Sequence, residues 1–198
     1  MIHALGERII REGILQAKSW KKSGWDSSFR IAINISPVQL QDPDFLDMVV
    51  RILDENSVSA SEIGLEFEVT ESRPIQSENA LNTLVRLREM GIRISIDDFG
   101  TGYSSISLLR GFPVDTLKID QSFIRDIRHD RNARSMIRAI VTMAKSLGLS
   151  LVAEGVEFEE ERIFLQEIGC DLFQGFLWGH PLPPEEVIEF YRSTLEKS

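Results

Sequence analysis

Two adjacent aspartates, Asp97 and Asp98, end an apolar, β-branched segment, and they are the side chains of this sequence best suited to chemistry. Neighbouring carboxylates at the end of a buried strand repel each other and lose hydration, and a bound cation relieves both costs. The pair therefore favours a divalent metal site. The alternative is that both carboxylates only cap the turn that begins at Phe99, and this segment by itself leaves the choice open.

Other polar residues lie at the carboxyl ends of further predicted strands. The segments that we interpret as strands are 30–36, 63–70, 92–98, 116–119, 149–153 and 171–176. The polar residues at or near their ends are Asn34, Glu68, Asp97, Lys118, Glu154 and Gln174. The oxygen donors among them, together with Asp98, suit Mg²⁺ or Mn²⁺ rather than zinc or copper. Five such ligands exceed what one Mg²⁺ usually takes from a protein, which predicts two ions.

Two residues near this set have a functional and a structural interpretation each. Lys118 among acids would orient a metal-bound water or meet charge developing on phosphorus, and the alternative is an exposed lysine paired with Asp120. Glu71, three residues after Glu68, would accept hydrogen bonds from the loop 100–105 and so hold the aspartates in place. Its alternative is a solvated acid in a turn.

The elements that must position these residues alternate along the chain. Apolar spacing and end signals predict helices over 2–21, 42–56, 77–91, 106–110, 131–147, 159–168 and 184–196. Strands and helices in alternation predict an α/β fold with a parallel sheet, either doubly wound or closed as a (β/α) barrel. Polar residues at the ends of six different strands favour the TIM-like barrel, because a doubly wound sheet gathers its ligand residues at one switch point.

Composition bounds the function further. The 198 residues, 42% hydrophobic and 27% charged, indicate one globular domain over 1–198. A net charge of −9 argues against a nucleic acid polymer as partner, and a phosphate-bearing ligand would need metal ions as its counter-charge. Cys170 is the only cysteine, which excludes an internal disulfide and fits a reducing compartment. We interpret it as a small buried hydrophobe, and His3, His129 and His180 as surface residues.

Targeting signals are not evident in the sequence. No apolar run reaches the roughly eighteen residues of a membrane span, and charges throughout Met1 to Trp20 are unlike a signal peptide. We therefore expect a cytoplasmic location, as a free protein or as the cytoplasmic part of a membrane-attached one.

The chain resembles the EAL family of bacterial cyclic di-GMP phosphodiesterases. The segments that carry the resemblance, in chain order, are Asn34-Ile35-Ser36, EVTES from Glu68, DDFGTGYSS from Asp97, LKID from Leu117, AEGVE from Ala153 and QGF from Gln174. The resemblance implies a modified (β/α) barrel that hydrolyses one phosphodiester of cyclic di-GMP to linear pGpG. It also implies cyclic di-GMP as ligand, attached sensor or GGDEF domains, and a homodimer.

The resemblance assigns a role to each candidate residue. Asn34, Glu68, Asp97, Asp98 and Glu154 would hold two Mg²⁺ or Mn²⁺ ions. Lys118 would contact the attacking water, and Glu71 would brace the loop after Asp98. Glu157, Gln174 and Asp120 would shape the substrate site. Whether Glu154 or Lys118 moves the proton stays open.

The sequence departs from the family pattern in two ways. Phe158, Trp178 and His180 replace residues common at those positions, where they would alter base or phosphate contacts. The Glu-Ala-Leu signature strand and the strand before it do not occur in the sequence, so we expect an incomplete barrel with impaired hydrolysis. A non-hydrolysing cyclic di-GMP receptor or partner-docking module is the alternative, and an enolising barrel with Lys118 as base is a third hypothesis.

Overall fold

The computed structural model describes residues 2–25, 29–70, 77–100 and 111–195. The helices are α1 (Ile2–Lys22), α2 (Pro37–Leu40), α3 (Phe45–Glu55), α4 (Ala60–Ile63), α5 (Glu78–Glu89), α6 (Gln121–Arg125), α7 (Arg131–Ser146), α8 (Glu159–Glu167) and α9 (Pro184–Leu195). The strands are β1 (Ile31–Ile35), β2 (Leu65–Thr70), β3 (Arg93–Phe99), β4 (Thr116–Ile119), β5 (Ser150–Ala153) and β6 (Leu172–Phe173).

The six strands form one sheet in which every neighbouring pair is parallel and the spatial order follows the chain order from β1 to β6. Strand order never reverses within the described strands, so the sheet has no doubly wound switch point there. This confirms the predicted α/β fold with parallel strands and its barrel-type progression. Among the described residues, none of the helices is long and apolar enough to cross a membrane.

The two faces of the sheet differ in chemistry. One face carries buried apolar residues that stand opposite each other in register, such as Phe67 with Ile94 and Leu117 with Leu151. These residues join a core with buried residues of α1, α3, α5, α7 and α8. The other face carries buried polar side chains, among them Glu66, Glu68, Ser95, Thr116 and Lys118. Side chains alternate between the two faces along each strand, and residues that pair across neighbouring strands share a face. The polar face is therefore continuous across β2, β3 and β4.

Several helix boundaries follow from local signals. Ser77 caps α5 as predicted, since its hydroxyl accepts a hydrogen bond from the amide of Ala80. The helix predicted from Asp42 instead begins at Phe45, and a capping box between Ser36 and Gln39 forms the extra helix α2 before it. The short helices α2, α4 and α6 were not expected from apolar spacing, since each is a single turn. The predicted helix over 106–110 lies outside the described residues.

The last strand is shorter than predicted. The residues of β6 that pair in register with β5 are Leu172 and Phe173, whereas the apolar pattern predicted a strand over 171–176. Beyond them, Gln174 accepts a hydrogen bond from the amide of Val156, and a Cβ on Gly175 would lie 2.0 Å from the carbonyl oxygen of Val156. Only glycine fits this close approach of the backbone, which follows directly after the end of the strand pairing.

Candidate active site

The predicted polar residues converge at the carboxyl edge of the sheet. Asn34 stands opposite Glu68 in the register between β1 and β2, and Asp97 stands opposite Thr70, the last residue of β2. Lys118 is the third residue of β4, and Glu154 directly follows β5. Parallel strands bring these side chains to one edge because all six strands run in the same direction.

Lys118 is the centre of this group. Its Nζ lies 2.6 Å from Oε1 of Glu68, 2.6 Å from Oε1 of Glu154 and 3.1 Å from Oδ1 of Asp97. Only 7% of the Lys118 side chain is exposed. The alternative in which Lys118 is an exposed lysine paired with Asp120 is therefore wrong: burial and three carboxylates hold the ammonium inside the site.

The single ammonium of Lys118 does not balance the three largely buried carboxylates around it. Burial raises the pKa of Glu68 and of Glu154 above the usual glutamate value, and the ion pairs with Lys118 offset only part of that rise. Burial also opposes the charge on Lys118, yet hydrogen bonds to Glu154 and Glu68 raise its pKa above the ordinary lysine value. The two directions agree physically: burial disfavours the carboxylate charges, the neighbouring acids add to that effect, and both Lys118 and the glutamates hold their protons more tightly.

A backbone irregularity turns both aspartates towards the site. The register between β3 and β4 shifts between Ile96 and Phe99, and Asp98 has a φ of 56°, in the left-handed region. Successive strand residues normally point to opposite faces, and the bulge removes that alternation at this point. Asp97, Asp98 and Glu154 each offer a carboxylate oxygen, and these oxygens lie within 4.8 Å of one another.

The charges of two neighbouring acids act on the carboxyl group of Asp98. Burial raises its pKa, and the charges of Asp97 and Asp120 raise it further. Asp120 is also the N-cap of α6, where its Oδ1 accepts a hydrogen bond 2.9 Å long from the amide of Ser122. The site therefore has more negative charge than Lys118 compensates, and a divalent cation would remove the excess.

The donor set fits a hard divalent ion. Oδ1 of Asp97 is buried and accepts no hydrogen bond within the described residues, although it lies 3.1 Å from Nζ of Lys118. Buried polar atoms are normally satisfied, so this oxygen has spare capacity for a ligand. Carboxylate oxygens without cysteine or histidine are the donors that Mg²⁺ and Mn²⁺ prefer.

Gly155 sets the direction of the chain after Glu154. Its φ is 69°, and a Cβ there would lie 2.5 Å from the Cβ of Gln121 at the start of α6. Both the left-handed backbone and the close approach to α6 require glycine. The amide of Glu154 donates to the carbonyl of Ile119, which ties the acid to the end of β4.

The residues assigned to substrate contacts lie farther out. Glu157 and Gln174 are exposed, and Gln174 bonds β5 and the following loop through its backbone. Sequence reasoning missed Glu161, which is 2% exposed and whose Oε2 accepts hydrogen bonds from the amides of Glu157 and Phe158. Glu161 is the last of three consecutive glutamates, and such a run is typical of an exposed helix surface. Its position three residues after Phe158, however, is the position of an acid that caps the start of a helix.

The structure thus brings together Glu68, Asp97, Asp98, Lys118 and Glu154. Asn34 lies at the same edge and is exposed. Glu71 lies outside the described residues, so its bracing role stays a prediction. Surface positions for His3, His129 and His180 are confirmed, and so is the burial of Cys170.

A comparison with protein-family models decides the family. The model of the EAL domain matches residues 1–181. The chain belongs to the EAL family. The predicted fold and the resemblance read from the sequence motifs are thereby confirmed.

EAL relatives with full-length sequences are much longer than this chain. It is 40% identical over 189 residues to the bifunctional diguanylate cyclase/cyclic di-GMP phosphodiesterase MucR of Pseudomonas aeruginosa, covering 95% of this chain and 27% of MucR. It is 36% identical over 199 residues to the cyclic di-GMP phosphodiesterase PdeR of Escherichia coli, covering 100% of this chain and 30% of PdeR. The chain therefore spans less than a third of these two relatives.

Solved EAL structures share the fold. The MucR phosphodiesterase in complex with c-di-GMP aligns with a TM-score of 0.85 at 40% identity, over 94% of this chain and 74% of that one. The EAL domain of Mycobacterium smegmatis DcpA aligns with a TM-score of 0.87 at 36% identity, over 96% of this chain and 84% of that one. The six parallel strands thus match those of EAL (β/α) barrels.

Proposed function

We propose that residues 1–198 form one EAL-type phosphodiesterase domain that hydrolyses cyclic di-GMP to linear pGpG with two Mg²⁺ or Mn²⁺ ions. The observation that carries the proposal is the buried cluster at the strand ends, where Glu68, Asp97 and Glu154 surround one lysine. Such an excess of acids is costly in a protein without a bound cation. Relatives named as cyclic di-GMP phosphodiesterases support the choice of substrate.

The ligands of the two ions would come from four strands. Glu68, Asp97, Asp98 and Glu154 supply carboxylate oxygens, and Asn34 adds an amide oxygen from the end of β1. When bound, the ions supply a nucleophilic water at neutral pH and stabilise charge on the attacking and leaving oxygens. The protein contributes the spacing of the ligands, which the parallel strands fix.

Lys118 and Glu154 would orient the attacking water and accept its proton, respectively. Because its pKa is raised, Lys118 stays protonated and donates hydrogen bonds, which suits orientation of the attacking water and stabilisation of charge on phosphorus. Lys118 has only protons to donate, whereas Glu154, whose carboxylate lies 2.6 Å from Nζ of Lys118, has lone pairs that can accept the proton of the water. We therefore assign the general base to Glu154.

Substrate contacts would come from the rim. Glu157 is exposed three residues after Glu154, and its backbone is held by the buried carboxylate of Glu161. An ionised carboxylate accepts two hydrogen bonds, which matches the two donors on the base-pairing edge of guanine. Gln174 and Asp120 would add contacts on either side, and Glu71 would brace the loop that follows Asp98.

Further proposals concern the protein beyond this domain. We propose that the EAL domain is attached to sensor or GGDEF domains in a longer protein, as an analogy with the relative MucR, which is named as a bifunctional diguanylate cyclase/cyclic di-GMP phosphodiesterase. A cytoplasmic location and a homodimer are part of the same proposal. No nucleic acid polymer is expected as a partner, because the net charge is −9.

Chromatographic detection of pGpG tests the function. The purified protein is incubated with cyclic di-GMP and Mn²⁺, alongside Asp97→Asn and the control Asp54→Asn, whose aspartate is exposed on α3. We expect turnover to fall at least about 100-fold in Asp97→Asn and to stay at the wild-type rate in the control. Equal turnover in Asp97→Asn would refute the proposal, and tight nucleotide binding without pGpG in the wild type would favour a receptor instead.

A further inference from the structure

A second polar cluster lies on the polar face of the sheet, at the opposite end from the candidate active site. It consists of Arg30, Glu66, Arg93 and Thr116, which we call the strand-start belt. Arg30 directly precedes β1, Glu66 is the second residue of β2, and Arg93 and Thr116 begin β3 and β4. Four adjacent strands are thus represented, each by the residue at or beside its start.

The belt is a chain of contacts across the sheet. Nη1 of Arg30 lies 3.5 Å from Oε2 of Glu66, and Nε of Arg93 lies 3.9 Å from the same oxygen. Nη2 of Arg93 donates to Oγ1 of Thr116 over 3.3 Å. Glu66 and Thr116 are buried, with 7% and 2% exposed. Side chains therefore join the starts of β1, β2, β3 and β4 in sequence.

Each member of the belt shares its strand face with a residue of the active site. Side chains two or four positions apart in a strand point to the same face. Glu66 precedes Glu68 by two residues, and Arg93 precedes Asp97 by four. In the same way Thr116 precedes Lys118 by two and Arg30 precedes Asn34 by four. The belt and the site are two layers of one polar barrel interior.

Stability alone does not account for the pair Glu66–Arg93. Glu66 is buried, whereas the Arg93 side chain is 33% exposed, and Nε of Arg93, 3.9 Å from Glu66, makes no hydrogen bond within the described residues. So long an ion pair offsets little of the hydration that Glu66 loses on folding. The best-attested role of ionic groups inside a protein is to specify register. Glu66 and Arg93 are direct partners in the register between β2 and β3, and a slip of one residue between these strands would leave Glu68 and Asp97 on opposite faces of the sheet.

We propose that Glu66 and Arg93 are positioning residues, which fix the register of β2 against β3 and thereby the spacing of Glu68 and Asp97 at the metal site. Thr116 extends this alignment to the strand of Lys118, and Arg30 extends it to the strand of Asn34. This inference rests on the metal site of the proposed function. The belt itself touches neither substrate nor metal and acts only through the strands.

Calorimetric titration with Mn²⁺ alone tests the belt, with thermal unfolding of each protein measured in parallel. The test variant is Glu66→Leu/Arg93→Leu, which removes one charge of each sign and leaves the net charge unchanged. If this variant does not fold, Glu66→Gln/Arg93→Gln takes its place, and its Mn²⁺ affinity and thermal midpoint are judged in the same way. The matched control is Glu7→Gln/Arg51→Gln, which removes an ion pair of 2.9 Å between α1 and α3, away from the sheet.

We expect the dissociation constant for Mn²⁺ to rise about tenfold in the test variant, with a thermal midpoint close to that of the wild type, and to stay constant in the control. A folded test variant with wild-type affinity for Mn²⁺, or an equal loss in the control, would overturn the belt inference and leave the proposed function standing. A wild-type protein that does not bind Mn²⁺ would overturn both.

Discussion

Nζ of Lys118 lies 2.6 Å from Oε1 of Glu154, although the two residues are 36 positions apart and belong to the ends of neighbouring strands. The same nitrogen also pairs with Glu68 and Asp97, so a single ammonium holds acids from three other strand ends. Lys118 is thus a candidate catalytic residue. It is also the internal cation that reduces the repulsion among the carboxylates when no metal is bound.

Replacement of Lys118 by methionine tests that second role. Without the ammonium, three largely buried carboxylates repel one another, and we expect the metal-free protein to lose about 3 kcal/mol of unfolding free energy at pH 8. The loss should shrink near pH 5, where the acids with raised pKa take up protons. Urea unfolding in the presence of a chelator measures both values.

The exposed Lys145 of α7 provides the control for this substitution. Lys145→Met should change the unfolding free energy by no more than about 0.5 kcal/mol. A Lys118→Met protein as stable as this control at pH 8 would show that the acids need no internal cation.

Mn²⁺ affinity should depend on pH in a defined direction. The pKa values of Glu68, Asp98 and Glu154 are raised, so these ligands hold protons at a pH where ordinary carboxyl groups have lost them. Metal must displace those protons, so the dissociation constant should fall as the pH rises from about 5 to about 7. Calorimetry in two buffers with different ionisation enthalpies should show proton release on binding. An affinity that is constant over this range, without proton release, would contradict the assignment.

The polar edge of the sheet was predictable because strand ends can be read from the sequence. Asn34, Glu68, Lys118 and Glu154 each lie at or near the carboxyl end of a predicted strand, and parallel strands must bring such ends together. The burial of Lys118 was not predictable in the same way, since an exposed lysine paired with Asp120 fitted the pattern equally well. Only the three-dimensional arrangement of the acids decides between the two.

Features that depend on register or backbone detail were missed. Arg93 has no sequence signal as a partner of Glu66, because that contact exists only in one register between β2 and β3. The bulge that turns Asp98 towards the site leaves no trace except the repeated aspartate. Short helices such as α6 depend on a single cap, here Asp120, and have no apolar period to detect.

Substitutions of Asp98 can separate the effect of its charge from the effect of its left-handed backbone conformation. Asparagine tolerates a φ of 56° as well as aspartate does, so Asp98→Asn should keep the thermal midpoint within about 2 °C of the wild type. It removes one ligand charge and should weaken Mn²⁺ binding about tenfold or more. Differential scanning fluorimetry and calorimetry on the same preparation measure the two effects.

Asp98→Ala is the companion variant, because alanine lacks the side-chain oxygen and is strained at positive φ. We expect it to lose stability as well as affinity. If Asp98→Asn bound Mn²⁺ as tightly as the wild type does, Asp98 would not be a ligand.

The most direct test of the central claim is anomalous diffraction from a crystal of the protein grown with Mn²⁺. We predict two anomalous peaks about 3.5 to 4 Å apart, bounded by Glu68, Asp97, Asp98 and Glu154, with Asn34 on one of them. Density without a peak between these carboxylates, with Lys118 still paired to all three of its acids, would contradict the account.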